Sequence, residues 1–204
     1  MKPALYLASG SPRRKEILEN LGYQVLRLPA DINETPYPGE TASAYVARMA
    51  AEKNAAALAL WRTRHIHTPE YPLLTADTTV ALNNQILGKP DNAQHAAEML
   101  SALSGSTHQV LTSVCVYFND TRQCTTQTSH VTFKTLNPSE ISAYIASKEP
   151  LDKAGAYGIQ GLGGVFITHL QGSFTGVMGL PVYETTLLLE ECGYITPPFS
   201  IEYG

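Results

Sequence analysis

The chain changes character abruptly at Ser9-Gly10-Ser11-Pro12, and this junction constrains the fold more than any other stretch. Before it, Leu5 to Ala8 is a short apolar run suited to a buried strand. After it, Ser11 can cap a helix that has Pro12 at its first position. That helix should reach about Leu21, because Ile17, Leu18 and Leu21 share a face and Gly22 stands where a C-terminal cap belongs. A second strand, roughly Gln24 to Leu28, comes next. Strand, capped helix and strand in immediate succession point to an α/β sheet with helices on its faces.

The alternation continues. Thr41 can cap a long alanine-rich helix reaching about Trp61, with Tyr45, Met49 and Leu60 among its apolar positions. Pro72 leads into a buried strand over Leu73 to Ala76, and Asn83-Asn84 marks a hairpin between Val80-Ala81-Leu82 and Gln85-Ile86-Leu87. Asn92 should cap a helix ending near Leu103. Strands of about Gln109 to Asn119 and Cys124 to Leu136 are expected to pair across an Asn119 to Gln123 turn. Asn137-Pro138-Ser139-Glu140 has the form of a capping box, which starts a helix running to about Ser147. Gly155 to Gly164 is too glycine-rich to be regular throughout, Val165 to Leu170 is strand-like, and Leu180 to Glu191 reads as a final helix stopped by Gly193. With no repeat and no linker, the expectation is one α/β domain over residues 1–204 with a mixed sheet.

Composition narrows the function classes. At 204 residues and 44% hydrophobic the chain can bury a substantial core. Its net charge of -4, without basic blocks, offers no broad surface for a nucleic-acid backbone. The apolar run from Ala4 to Ala8 is too short for a secretory leader or a membrane span, so neither membrane nor export is expected. Cys115, Cys124 and Cys192 are odd in number and lack metal-type spacing, which argues against a disulfide framework or a zinc site and for buried or incidental thiols in a reducing cytoplasm.

Four constellations can carry chemistry. Ser9-Gly10-Ser11-Pro12-Arg13-Arg14 sits where backbone N–H groups and the helix dipole converge, which suits a phosphate; a capped helix with solvated arginines is the plainer reading. In Thr75-Ala76-Asp77-Thr78-Thr79 a buried strand delivers a carboxylate and hydroxyls at its carboxyl end, where α/β sheets bind ligands, although a turn aspartate bonding its own backbone would look the same. Leu87-Gly88-Lys89-Pro90 fixes a lysine that can reach a phosphate or simply lie exposed in a turn. The stretch Glu149-Pro150-Leu151-Asp152-Lys153-Ala154-Gly155-Ala156-Tyr157-Gly158-Ile159-Gln160-Gly161 lets backbone approach a flat ligand while Tyr157 offers stacking and Gln160 paired hydrogen bonds, with a surface loop as the alternative. His108 reads as a structural strand-edge histidine, Tyr144 as a packed helix residue and Trp61 as a cover for apolar surface.

Together these motifs, with Ser104-Gly105, His108, Val110 and Gly179-Leu180-Pro181 in order along the chain, resemble the Maf family of nucleotide pyrophosphatases. The resemblance implies a fold similar to the inosine-triphosphate pyrophosphatases, with two lobes around a cleft and frequently a dimer. It also implies hydrolysis of a nucleoside triphosphate between its α- and β-phosphates with Mg²⁺ or Mn²⁺. By the same resemblance Asp77 is the proton acceptor and Glu34 an acidic partner that helps hold the metal, while Ser9, Arg13, Arg14, Lys53 and Lys89 face the triphosphate. Arg13, Thr78 and Gln160 match the branch selective for dTTP and UTP. Thr175-Gly176-Val177-Met178 departs from the family, which often has an asparagine and two valines before Gly-Leu-Pro. The rival reading is a nucleotide-binding regulator of septum formation that does not cleave its ligand; two acidic groups among the cations favour the enzyme.

Overall fold

The first helix begins where the sequence places it. In the computed structural model, which describes residues 3–194, β1 (Ala4–Leu7) is buried along its whole length, and α1 (Pro12–Asn20) starts with Ser11 Oγ accepting from the Arg14 N–H. β2 (Gln24–Arg27) lies parallel to β1. α2 (Ala42–Arg64) is capped by Thr41 and runs past Trp61.

β3 (Leu73–Leu82) corrects one expectation: the strand does not stop at Ala76. Asp77 therefore stands mid-strand rather than at a carboxyl end. The β-branched run Thr78-Thr79-Val80 favours extended backbone, and the antiparallel partner holds β3 from Leu73 to Ala81. Asn83 and Asn84, both with positive φ, turn the chain into β4 (Gln85–Leu87). Next come α3 (Ala93–Leu103), β5 (Thr107–Phe118) and β6 (Thr121–Phe133). α4 (Pro138–Ala146) opens with both hydrogen bonds of the Asn137/Glu140 capping box. The glycine-rich segment forms short 3₁₀ turns, and the last of them, Leu162–Phe166, displaces the start of β7 to Ile167–Gln171. A short α5 (Phe174–Met178), not expected from the sequence, precedes α6 (Val182–Glu191).

The cysteines give a second correction. Asn119 and Asp120 alone make the β5–β6 turn, both with positive φ, instead of the five-residue turn expected. The shorter turn sets Cys115 directly opposite Cys124, with Cα atoms 4.1 Å apart, and the two form a disulfide. Cys192 is a half-buried free thiol.

Among the described residues seven strands form one mixed sheet, ordered β2-β1-β3-β5-β6-β7, with β4 beside β3. β2, β1 and β3 run parallel, and the pairs from β3 to β7 are antiparallel. One lobe packs Leu18 and Leu189 against Leu5 and Leu7 on one face, and Leu58 and Trp61 against Tyr6 and Leu73 on the other. The second lobe buries Leu100, Val131, Phe133, Ile141 and Tyr157 around the far part of β5 and β6.

β3 links the lobes, and one of its edges is open. β1 pairs with it only as far as Leu74, and β4 takes over at Val80. Thr75–Thr79 thus have no strand on that side, and a cleft occupies the gap. The glycine-rich segment closes over it at Gly155, whose φ is +67° and whose N–H donates to Gly88 O at 3.0 Å. A Cβ at Gly155 would lie 2.9 Å from the Val80 methyls, so neither the backbone conformation nor the space admits a side chain there.

Candidate functional site

All nine side chains singled out from the sequence (Ser9, Arg13, Arg14, Glu34, Lys53, Asp77, Thr78, Lys89 and Gln160) line this cleft of about 930 Å³. They arrive from six separate segments. Successive residues of a strand point to opposite faces, so Asp77 turns toward α2 and Thr78 toward α1 and α5. The cleft wraps around the open edge of β3 and reaches both.

On the α2 side, Lys53 Nζ lies 2.6 Å from Asp77 Oδ1 and 2.7 Å from Glu34 Oε1. One ammonium thus bridges two carboxylates. Burial works to raise the Glu34 pKa, but the hydrogen bond and charge of Lys53, with Lys89 and Arg14 farther off, carry it below its ordinary value. Among the described residues no three His, Cys, Asp or Glu side chains group to hold a metal. The chain therefore offers a pair of carboxylates already arranged about one cationic point. That donor set fits Mg²⁺ or Mn²⁺, which commonly takes one or two protein carboxylates and completes its shell with substrate phosphates.

Glu34 is held from behind by residues the motifs did not reveal. The Tyr45 hydroxyl donates to Glu34 O at 2.9 Å. Arg48 grips Glu40 through two bonds of 2.7 and 2.6 Å, donates to Thr35 O at 3.2 Å and stacks 3.8 Å above the Tyr37 ring. Hydrogen bonds from Arg48 hold the Glu40 carboxyl down to about 2. Burial, followed by the charges of Asp77 and Glu34, pushes the Tyr45 phenol up to about 12. The only sequence trace of this latch is the Arg48/Glu52 spacing within α2, because Glu40 precedes the helix and lies eight residues from Arg48.

On the other side Arg14 is turned largely onto the protein. Its Nε donates to Gly179 O at 2.7 Å, Nη1 to Ser9 Oγ at 3.0 Å and Nη2 to Thr78 Oγ1 at 3.1 Å. Three of the five N–H groups of a guanidinium are thereby engaged, leaving two for a ligand. Desolvation lowers the pKa of this arginine, while Asp77 acts in the opposite sense. Arg27, also missed, donates to Ser9 O at 3.2 Å and pins the turn.

Lys89 and Gln160 are exposed and free to meet a ligand, and Arg13 is half-buried. The Gln160 loop rests on Glu149, which accepts from Leu162 N, Gly163 N and the Tyr144 hydroxyl at 2.8, 3.2 and 2.8 Å. Tyr157 corrects another expectation. Its ring is buried edge-on against Phe133 and His108, and its hydroxyl lies 2.8 Å from His108 Nε2, so it supports the loop from inside and does not offer a stacking face. His108, second residue of β5, is structural as expected: it is buried in the core, and its Nδ1 has no partner; burial lowers its pKa to about 4. Tyr144 and Trp61 pack as expected. Among the described residues no helix is long and apolar enough to cross a membrane.

Comparison with known proteins adds a family to this geometry. The family described as Maf-like protein matches residues 4–192. A protein of Neisseria gonorrhoeae named dTTP/UTP pyrophosphatase is 54% identical over 196 residues, covering 96% of each chain. A nucleoside triphosphate pyrophosphatase of Haemophilus ducreyi is 56% identical and covers 94% of this chain and 96% of its own. Among solved structures the Staphylococcus aureus Ham1 protein is similar over 78% of this chain and 77% of its own, with 15% identity and a TM-score of 0.46. With the family match running from β1 to the end of α6 and close relatives spanning nearly the whole chain, the protein belongs to the Maf-like family.

Proposed function

We propose that the cleft hydrolyses nucleoside triphosphates between the α- and β-phosphates, with UTP and dTTP preferred. The names of the relatives support this reading. The observation that carries it is the Glu34–Lys53–Asp77 group, which places two carboxylates and a cation at the open edge of β3.

Cleavage at the α-phosphorus builds negative charge on the departing pyrophosphate. Lys53, Lys89 and the two free N–H groups of Arg14 would meet that charge, and fixed cations in a cleft stabilise it without reorganising. Asp77 would orient the attacking water and take its proton. Mg²⁺ or Mn²⁺, held by Glu34 and Asp77, would supply further charge neutralisation of the phosphates. Ser9 and the adjoining turn would position the triphosphate, while Gln160 and Thr78, with Arg13, would read the base. An amide offers a donor and an acceptor side by side, matching the N3–H and O4 edge of uracil and thymine.

The test is incubation of the protein and Mg²⁺ with UTP, dTTP, CTP, ATP, GTP and 7-methyl-GTP, with products resolved. UMP or dTMP with pyrophosphate, well ahead of the other nucleotides, is the expected result. Release of orthophosphate and a diphosphate would refute the bond assignment. Binding of nucleotide without cleavage would leave the regulator reading.

A further inference from the structure

Thr78 and Thr112 stand next to each other on β3 and β5, and the direction of every hydrogen in their contact can be assigned. Thr112 Oγ1 lies 2.7 Å from Gly176 O, and a carbonyl cannot donate, so the one hydrogen of the Thr112 hydroxyl goes there. Thr112 Oγ1 also lies 2.9 Å from Thr78 Oγ1. With its own hydrogen engaged, Thr112 must accept in that contact, and Thr78 must donate. Thr78 Oγ1 also accepts from Arg14 Nη2 at 3.1 Å. The chain therefore runs one way, from Arg14 through Thr78 and Thr112 to Gly176. It ends in a buried stretch, since Thr112 is fully buried and a Cβ at Gly176 would come within 2.5 Å of Gln127 Oε1. Such an interior holds its hydrogen bonds in one arrangement, because a reversed hydroxyl would set the lone pairs of Thr112 Oγ1 and Gly176 O against each other at 2.7 Å, even though Gly176 O also accepts from the Gly179 N–H.

What the cleft sees at Thr78 is thus an oxygen with one lone pair left and no hydrogen to give. We infer that Thr112 is a positioning residue for substrate choice: by fixing the direction of the Thr78 hydroxyl it makes Thr78 an obligatory acceptor, which reads a ligand N–H or O–H. The inference rests on the nucleotide reading above and deepens it. dTTP and UTP share two such donors, the sugar 3′-hydroxyl and the base N3–H, the second of which Thr78 would take in place of, or share with, the Gln160 carbonyl. Cytosine carries a lone pair at N3 and would meet the Thr78 lone pair with repulsion. A freely rotating threonine would accept either pattern and discriminate poorly.

The experiment measures kcat/KM, and Kd by calorimetry, for UTP, CTP, N3-methyl-UTP and 3′-deoxy-UTP. The wild-type protein is expected to lose at least about tenfold on one of the two analogues, the methylated base or the deoxy sugar, which identifies the donor. Thr112→Val frees the Thr78 hydroxyl to rotate and should shrink that ratio by about tenfold, while Thr112→Ser keeps it. A merely structural role for Thr112 would change all four nucleotides alike and leave the ratio intact. Thr78→Val, as a second variant, removes the acceptor and must erase the same ratio even if Thr112→Val does not fold. Equal handling of UTP and both analogues by the wild type, or a folded Thr112→Val or Thr78→Val that retains the ratio, overturns the inference. If the wild type releases no pyrophosphate from UTP, the nucleotide-cleavage reading fails instead, and the Kd ratios still decide the role of Thr112.

Discussion

Lys53 donates to Asp77 Oδ1 at 2.6 Å across the boundary between α2 and β3, and the same ammonium reaches Glu34. If Glu34 and Asp77 hold the metal as proposed, lysine and metal compete for one place between two carboxylates. Lys53→Met should raise the affinity of the nucleotide-free protein for Mn²⁺, read by calorimetry, because the competing cation is gone. It should also lower turnover by about 10²-fold, since a charge aimed at the leaving phosphates is lost. Unchanged Mn²⁺ affinity would show that Glu34 and Asp77 do not hold the metal together.

Arg48 acts on the site only through the Glu34 segment. Arg48→Ala releases Glu40, Tyr37 and Thr35 at once. The expected outcome is a rise of about tenfold in the Mg²⁺ concentration needed for half-maximal rate, with faster proteolysis around Glu34. Arg48→Lys should not restore it, because an ammonium cannot form the paired contact with Glu40. A changed rate with unchanged Mg²⁺ dependence would detach Arg48 from Glu34.

His108 sets a pH dependence of stability. Burial lowers its folded-state pKa to about 4, so between the usual 6.5 and that value the unfolded chain binds a proton that the folded one does not. The stabilisation is complete above about pH 6.5 and is lost as pH falls toward 4. Urea unfolding at pH 7 and pH 5 should show a loss of about 2 kcal/mol in the wild type beyond that in His108→Phe. Equal losses in the two proteins would place the histidine in contact with solvent.

The fold was legible where its chemistry is local. Ser11 with Pro12, Thr41, Asn92 and the Asn137/Glu140 box mark helix starts within four residues of sequence, and each cap forms. Features set by distant partners were not. The pairing with β5 carries β3 past Ala76; the β-branched run Thr78-Thr79-Val80 permits that length but does not by itself announce it. Loss of three residues from the expected β5–β6 turn was enough to align Cys115 with Cys124. The strand-to-helix junction suggested an anion site, but not that Arg14 would spend three of its N–H groups on Gly179 O, 165 residues away, Ser9 Oγ and Thr78 Oγ1. The nine candidate site residues do converge; Ser9, Arg13 and Arg14 sit at a strand-to-helix junction whose backbone chemistry is readable, whereas Lys53 lies inside α2 and Glu34 in a loop, and only the family resemblance singled them out. The Arg48 latch and the Thr112 chain behind them depend on packing between segments that share no motif.

The proposed cleavage depends most on Asp77, the group that would activate water. Asp77→Asn keeps the shape of the side chain but cannot take a proton or offer a full charge to a metal. The deciding measurement is the rate of pyrophosphate release from saturating dTTP with Mg²⁺ by wild type and Asp77→Asn, with folding of both checked by thermal unfolding. A fall of at least about 10²-fold in the folded variant is predicted. Pyrophosphate release by the folded variant at a near wild-type rate would contradict it.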